Sequence, residues 1–205
     1  MTPRVKICGI TRLDDARAAV RAGADALGFN FWPGSRRFIA PAAARAIVAA
    51  LPPFVTAVGV FVDAGREELL AAAALSGVQL LQLHGDEPPG LCAHLPLPVL
   101  KALRVTGPEV LDLMRRYPGV AGFLLDAPSA GFGGGGRTFD WSLAAAAAAQ
   151  ATVVLAGGLT PANVAEAVRA VRPWGVDVAS GVESAPGVKD HQLVSRFVGA
   201  AKEQP

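Results

Sequence analysis

Short runs of β-branched and aliphatic residues alternate eight times along this chain with stretches rich in alanine, arginine and glutamate. That rhythm constrains the fold more than any other feature. The apolar runs fall at 5–9, 26–31, 56–62, 80–85, 99–105, 122–127, 152–158 and 175–181, and read as strands. The stretches near 12–22, 41–50, 65–75, 88–94, 108–116, 141–150, 161–171 and 190–201 read as helices. Strands separated by helices pair in parallel through βαβ crossovers. An open doubly wound sheet needs fewer strands and usually has a Gly-rich dinucleotide turn after the first. Here that turn is CGIT. Eight units closing on themselves make an α/β fold, the (β/α)8 TIM barrel. Such barrels usually have about 250 residues. The 205 residues of this chain therefore predict a compact barrel with short loops. No compositional shift marks a boundary, so 1–205 is expected to form a single (β/α)8-barrel catalytic domain. The joins fit this reading: Gly23 suits a left-handed helix stop, and Trp174-Gly175 opens the eighth strand.

Composition narrows the partners. Only 18% of residues are charged, the formal net charge is +2, and no block of lysine and arginine occurs, so no nucleic acid is expected. The Ala-rich run Leu143 to Ala149 is too short to span a bilayer, and the N-terminus lacks the apolar core of a secretory signal. No membrane partner is expected. The two cysteines, Cys8 and Cys92, have no CxxC or Cys/His neighbours, so no metal site is expected and a reducing cytoplasm fits. Monomer and homodimer both remain open.

Strand residues alternate between the helix layer and the barrel interior. With Val5 and Ile7 outward, Lys6 and Cys8 point in. The same rule turns Asn30, Gln82, His84, Lys101, Asp126 and Asp177 inward, and Leu100 outward. Cys8, Asn30, His84 and Asp126 also lie late in their strands, toward the C-terminal rim where barrel active sites are built. Taken singly, each has a blander explanation. A lone buried cysteine is usually an inert small hydrophobe, and a lone histidine is more often structural. Interior lysines often only neutralise carboxylates, so Lys6 and Lys101 are expected to pair with Asp126 or Asp177. Asp126 stands apart, since it ends an apolar strand and precedes a Gly-rich loop.

Strand seven ends in Gly157-Gly158-Leu159-Thr160-Pro161, with Thr160 as the expected helix cap. Strand eight ends in Ser180-Gly181-Val182-Glu183, which can open a short extra helix. Loops after strands seven and eight form the recurrent phosphate site of these barrels, so Gly157, Gly158, Ser180 and Gly181 are phosphate candidates. The Gly-rich segment after Asp126, with four consecutive glycines at 133–136, suits a loop that closes over substrate. Asp140 reads as the next N-cap. After strand two, Arg36 and Arg37 sit beside Trp32 and Phe38, a grouping suited to a planar carboxylated ligand.

KICGIT, GADALGFNF with SRRF, GVFV, QLHGDE, TFDW, AGGLTPANV and VDVASGVESAPGVKD together resemble the phosphoribosylanthranilate isomerase family of tryptophan biosynthesis, from residue 4 to about 200. The resemblance implies a (β/α)8 barrel without metal or organic cofactor. It implies an Amadori rearrangement of N-(5-phosphoribosyl)anthranilate to 1-(2-carboxyphenylamino)-1-deoxyribulose 5-phosphate. It places the catalytic cysteine, a general base, on Cys8, the general acid on Asp126 and the anthranilate-binding arginine on Arg37. His84 and Asp177 join the substrate-binding candidates. Ala156 stands where serine often precedes the paired glycines. A rival reading keeps the phosphate barrel but makes Lys6 or Lys101 the nucleophile of a Schiff-base aldolase or lyase, or sees a related phosphosugar isomerase.

Overall fold

The computed structural model describes residues 2–127 and 140–203. Eight parallel strands close a barrel in chain order, with the eighth pairing back onto the first. They are β1 (Arg4–Cys8), β2 (Ala26–Asn30), β3 (Thr56–Phe61), β4 (Leu80–Leu83), β5 (Val99–Arg104), β6 (Gly122–Asp126), β7 (Val153–Leu155) and β8 (Gly175–Val178). The helices are α1 (Leu13–Ala22), α2 (Pro41–Val48), α3 (Arg66–Ser76), α4 (Pro89–Ala93), α5 (Val110–Arg115), α6 (Trp141–Ala148), α7 (Val164–Val171) and α8 (His191–Lys202). Beyond β8 come a 3₁₀ turn at Ser180–Val182 and a small antiparallel pair, β9 (Glu183–Ala185) and β10 (Val188–Lys189).

The expected helix stops and starts are largely realised. Gly23 ends α1 at φ 95°, and its N–H donates to the carbonyls of Ala19 and Val20. Asp140 caps α6 by accepting from the Ser142 N–H. The start of the seventh helix differs from expectation: α7 begins at Val164, not Pro161. Asn163 is the reason. Its side-chain oxygen accepts from the Thr160 N–H at 2.8 Å while its amide donates to the Gly158 carbonyl at 3.0 Å, holding 160–163 as a turn.

Two apolar cores flank the sheet. The larger lies between strands and helices and includes Val5, Ile7, Leu81, Leu83, Phe123, Leu125 and Val176. The smaller fills the barrel with Leu100, Ala102, Leu124, Val154 and Ala156. This overturns one expectation: Leu100 faces in, and Lys101 faces out. Lys101 is in register with Leu83 on one side and Phe123 on the other, both outward residues. In a parallel barrel, residues in register share a face. Its ammonium pairs with neither barrel aspartate. It donates to Glu87 at 2.8 Å and to the carbonyls of Gly85 (2.6 Å) and Leu83 (3.3 Å), behind the sheet. Among the described residues no helix is long and apolar enough to cross a membrane.

Candidate active site

The C-terminal rim carries one cavity lined by residues from most of the strands, among them Cys8, Arg37, Gln82, His84, Asp126, Gly157, Gly158, Asp177 and Ser180. Most positions named from the sequence therefore converge, but Lys6, Arg36 and Lys101 are not in this lining. Gly181 lies beside this lining in the 3₁₀ turn.

Cys8 ends β1 and is 8% exposed. Its register neighbour is Gly28, and a Cβ built there would lie 2.7 Å from the Cys8 Sγ. The missing side chain on β2 makes the room the thiol occupies. Burial pushes the Cys8 thiol up, opposed by the ammonium groups of Lys6 and Lys189. Lys6 binds Asp177 at 2.9 Å, with both side chains buried. Burial pulls the Lys6 ammonium down, but Asp177 and Cys8 outweigh it and hold the group above its ordinary value. Lys6 thus stays charged beside the sulfur.

Asp126 ends β6, separated from Cys8 around the barrel by β7 and β8. One carboxylate oxygen accepts from the Ala127 N–H at 2.9 Å. The other lies 3.2 Å from His84 Nε2, and His84 Nδ1 lies 2.9 Å from the Gln82 amide nitrogen. The glycines that follow β7 and β8 are sterically required. Gly157 (φ 81°) and Gly158 (φ 69°) have left-handed backbones, and a Cβ on Gly157 would collide with the Ala127 N–H. A Cβ on Gly181 would collide with the Leu159 carbonyl oxygen. Backbone this bare can approach a ligand closely.

Arg37 reaches the rim from the loop after β2 and meets Glu183. Its Nε donates to the carboxylate at 2.9 and 3.1 Å and its Nη2 at 2.8 Å. Glu183 also receives Lys189 at 2.9 Å and the Gly187 N–H at 3.1 Å. Burial pushes the Glu183 carboxyl up, yet hydrogen bonds from Arg37 and Lys189 overcome this and hold it below the usual range. Arg36 is exposed. Sequence reasoning did not find Glu183 and Lys189 as members of the site. The only signal was their place in the SGVE and GVKD motifs. Among the described residues no group of three or more His, Cys, Asp or Glu is placed to hold a metal ion. The expected closing loop, 128–139, lies outside the described residues.

Residues 5–200 match the family model for N-(5'phosphoribosyl)anthranilate (PRA) isomerase. The chain belongs to the phosphoribosylanthranilate isomerase family. It is 55% identical over 206 residues to N-(5'-phosphoribosyl)anthranilate isomerase of Myxococcus xanthus, covering 98% of this chain and 97% of the relative. The solved phosphoribosylanthranilate isomerase of Thermotoga maritima superposes with a TM-score of 0.92 at 45% identity, covering 98% of both chains. That bacterium's enzyme is described as dimeric. A solved family member holding reduced 1-(o-carboxyphenylamino)-1-deoxyribulose 5-phosphate superposes at 0.89 with 43% identity, again over 98% of both chains.

Proposed function

We propose that this chain catalyses the Amadori rearrangement of N-(5'-phosphoribosyl)anthranilate in tryptophan biosynthesis, with Asp126 as general acid and Cys8 as general base. The observation that carries the assignment is the placement of a carboxyl and a thiol on separated strands of one rim, between bare backbone and an arginine. Phosphate sits against Gly157, Gly158, Ser180 and Gly181, and the anthranilate carboxylate against Arg37. Glu183 takes Nε and Nη2 of that guanidinium, and Arg37 also lines the cavity. Two anchors at opposite ends fix the reacting carbons between acid and base.

Asp126 delivers its proton to the furanose ring oxygen. The C1–O bond breaks as the anthranilate nitrogen lone pair forms C=N. The iminium acidifies the proton on sugar C2, and the Cys8 thiolate removes it. The enolamine that results tautomerises to the ketone. Asp177 supports this step through Lys6, whose charge sits beside the sulfur.

The Schiff-base alternative loses Lys101, whose ammonium lies behind the sheet. Lys6 is committed to Asp177. A homodimer is the assembly best supported. Phe54 is 97% exposed, and Trp174 is 50% exposed, beside an apolar cavity of about 460 Å³ at the barrel's N-terminal end. Two free, buried cysteines suit a cytoplasmic enzyme.

The test is a fluorescence assay following consumption of freshly generated N-(5'-phosphoribosyl)anthranilate by wild type, Cys8→Ala and Asp126→Asn. Wild type turns over, and each variant folds but loses at least about 10²-fold in kcat. Near-normal rates in both variants would overturn the assignment.

A further inference from the structure

Asp126 is one end of a three-residue array whose other end carries an anomaly. Gln82 is 1% exposed, and its Oε1 is buried with no hydrogen-bond partner. Its Nε2 lies 2.9 Å from His84 Nδ1, and His84 Nε2 lies 3.2 Å from Asp126 Oδ2. A neutral imidazole has one N–H and one lone pair, and the partner of one nitrogen decides the state of the other.

The Gln82 amide can face the ring in two ways. With Nε2 toward Nδ1 it donates to the ring lone pair, and one carbonyl oxygen goes unpaired. Turned over, Oε1 would accept from an Nδ1–H, and the amide nitrogen with its two hydrogens would take the buried place where Oε1 has no partner. Buried orphan N–H groups are rarer than under-satisfied carbonyls, because a carbonyl left without a partner forfeits less. Burial therefore selects the first orientation, and the unpaired Oε1 is its cost.

We propose that Gln82 is a positioning residue that holds His84 as the Nε2–H tautomer, so that the imidazole donates to Asp126 and leaves the acid's proton for the substrate. The inference rests on Asp126 acting as the general acid. In the opposite tautomer, Nε2 would present a lone pair to Oδ2. A protonated Asp126 would then turn its proton toward the histidine, away from the ring oxygen. With Nε2–H in place, Oδ2 is already an acceptor, and Oδ1 accepts from the Ala127 N–H. The acid's O–H is left to the cavity side. When it breaks, its electron pair stays on the carboxylate, the proton bonds to the ring oxygen, and His84 neither gains nor loses a proton. The same Nε2–H then stabilises the carboxylate that forms.

The test combines NMR of ¹³C,¹⁵N-histidine-labelled full chain with steady-state kinetics. The His84 signals are assigned by their loss in His84→Asn. An ionised Asp126 favours Nε2–H by itself, and an asparagine there would present its own amide to the ring, so the tautomer is read in an Asp126→Ala background, where the side-chain partner of Nε2 is gone and Gln82 decides. The expected result is Nε2–H in Asp126→Ala and a substantial Nδ1–H population in Gln82→Met/Asp126→Ala. Gln82→Met with Asp126 intact should lose roughly tenfold in kcat with KM within about twofold, part of what a positioned acid contributes. An Nδ1–H ring in Asp126→Ala, an unchanged tautomer in the double variant, or a wild-type kcat in Gln82→Met would each overturn the proposal. An inactive wild type with the tautomer intact would instead overturn the isomerase reading, and the catalytic half of this inference with it.

Discussion

Replacing Lys101 with methionine removes one partner of a buried ion pair and leaves the other in place. Both side chains are 1% exposed. The Glu87 carboxylate would keep the N–H groups of Asp63 (3.0 Å) and Gly85 (3.1 Å) but lose its counter-charge. The carbonyls of Gly85 and Leu83 would also lose a donor. Breaking such a pair from one side costs about 3–5 kcal/mol, because the remaining charge is uncompensated. With a urea m-value of about 2 kcal/mol/M, the unfolding midpoint should fall by roughly 2 M. Adding Glu87→Gln to Lys101→Met should recover a large part of that loss. The second change removes the stranded charge while its side-chain oxygen still accepts from Asp63 and Gly85. Methionine nearly conserves volume, so packing contributes little to the difference. The assay is urea unfolding followed by circular dichroism on the four members of the cycle, with kcat measured for each in native buffer. Turnover per folded molecule should stay within about fivefold of wild type, since Lys101 reaches no reacting atom. A Lys101→Met protein of undiminished stability, or one that is stable and catalytically dead, would refute this account. The second outcome would revive a lysine nucleophile.

Other expectations follow from the rim. Gly28→Ala puts a Cβ 2.7 Å from the Cys8 Sγ and 3.1 Å from its Cα. A shift of the thiol by about 1 Å should cost on the order of 10²-fold in kcat, with the melting temperature changing far less; a near-normal kcat would show that Sγ position is not critical. Burial raises the Cys8 thiol, so below its pKa the thiolate fraction grows about tenfold per pH unit. kcat/KM should climb between about pH 7 and 9 until another group titrates or substrate encounter limits the rate, and a flat profile would argue against Cys8 as base. For Glu183 the folded carboxyl lies below its ordinary 4.5. The unfolded chain then binds the proton more readily, so the stabilisation is complete above about pH 4.5 and lost as pH falls through the folded value. The stability gap between wild type and Glu183→Gln should shrink on acidification, and a gap independent of pH would refute the linkage.

The sequence by itself determined the architecture and much of the rim. Eight alternations of apolar run and helical stretch specify βαβ units, because each is a local pattern that buries apolar surface in only one way. Where a strand alternates polar with apolar, as at Val5 to Cys8, Leu81 to Leu83 or Val176 to Val178, the face of each side chain follows from the two-residue period. At Val99-Leu100-Lys101-Ala102-Leu103 both parities carry apolar residues, so alternation says nothing. Only pairing with Leu83 and Phe123 put Lys101 behind the sheet.

Tertiary structure decided what distant residues do to one another. Glu183 reaches Arg37 across 146 positions, Lys6 reaches Asp177 across 171, and His84 reaches Asp126 across 42. A local pattern shows that a charge points inward. It cannot show which charge meets it, because the partners come together only when the barrel closes. The unpaired oxygen of Gln82 belongs to the same class, since a missing hydrogen bond exists only once every neighbour is in place.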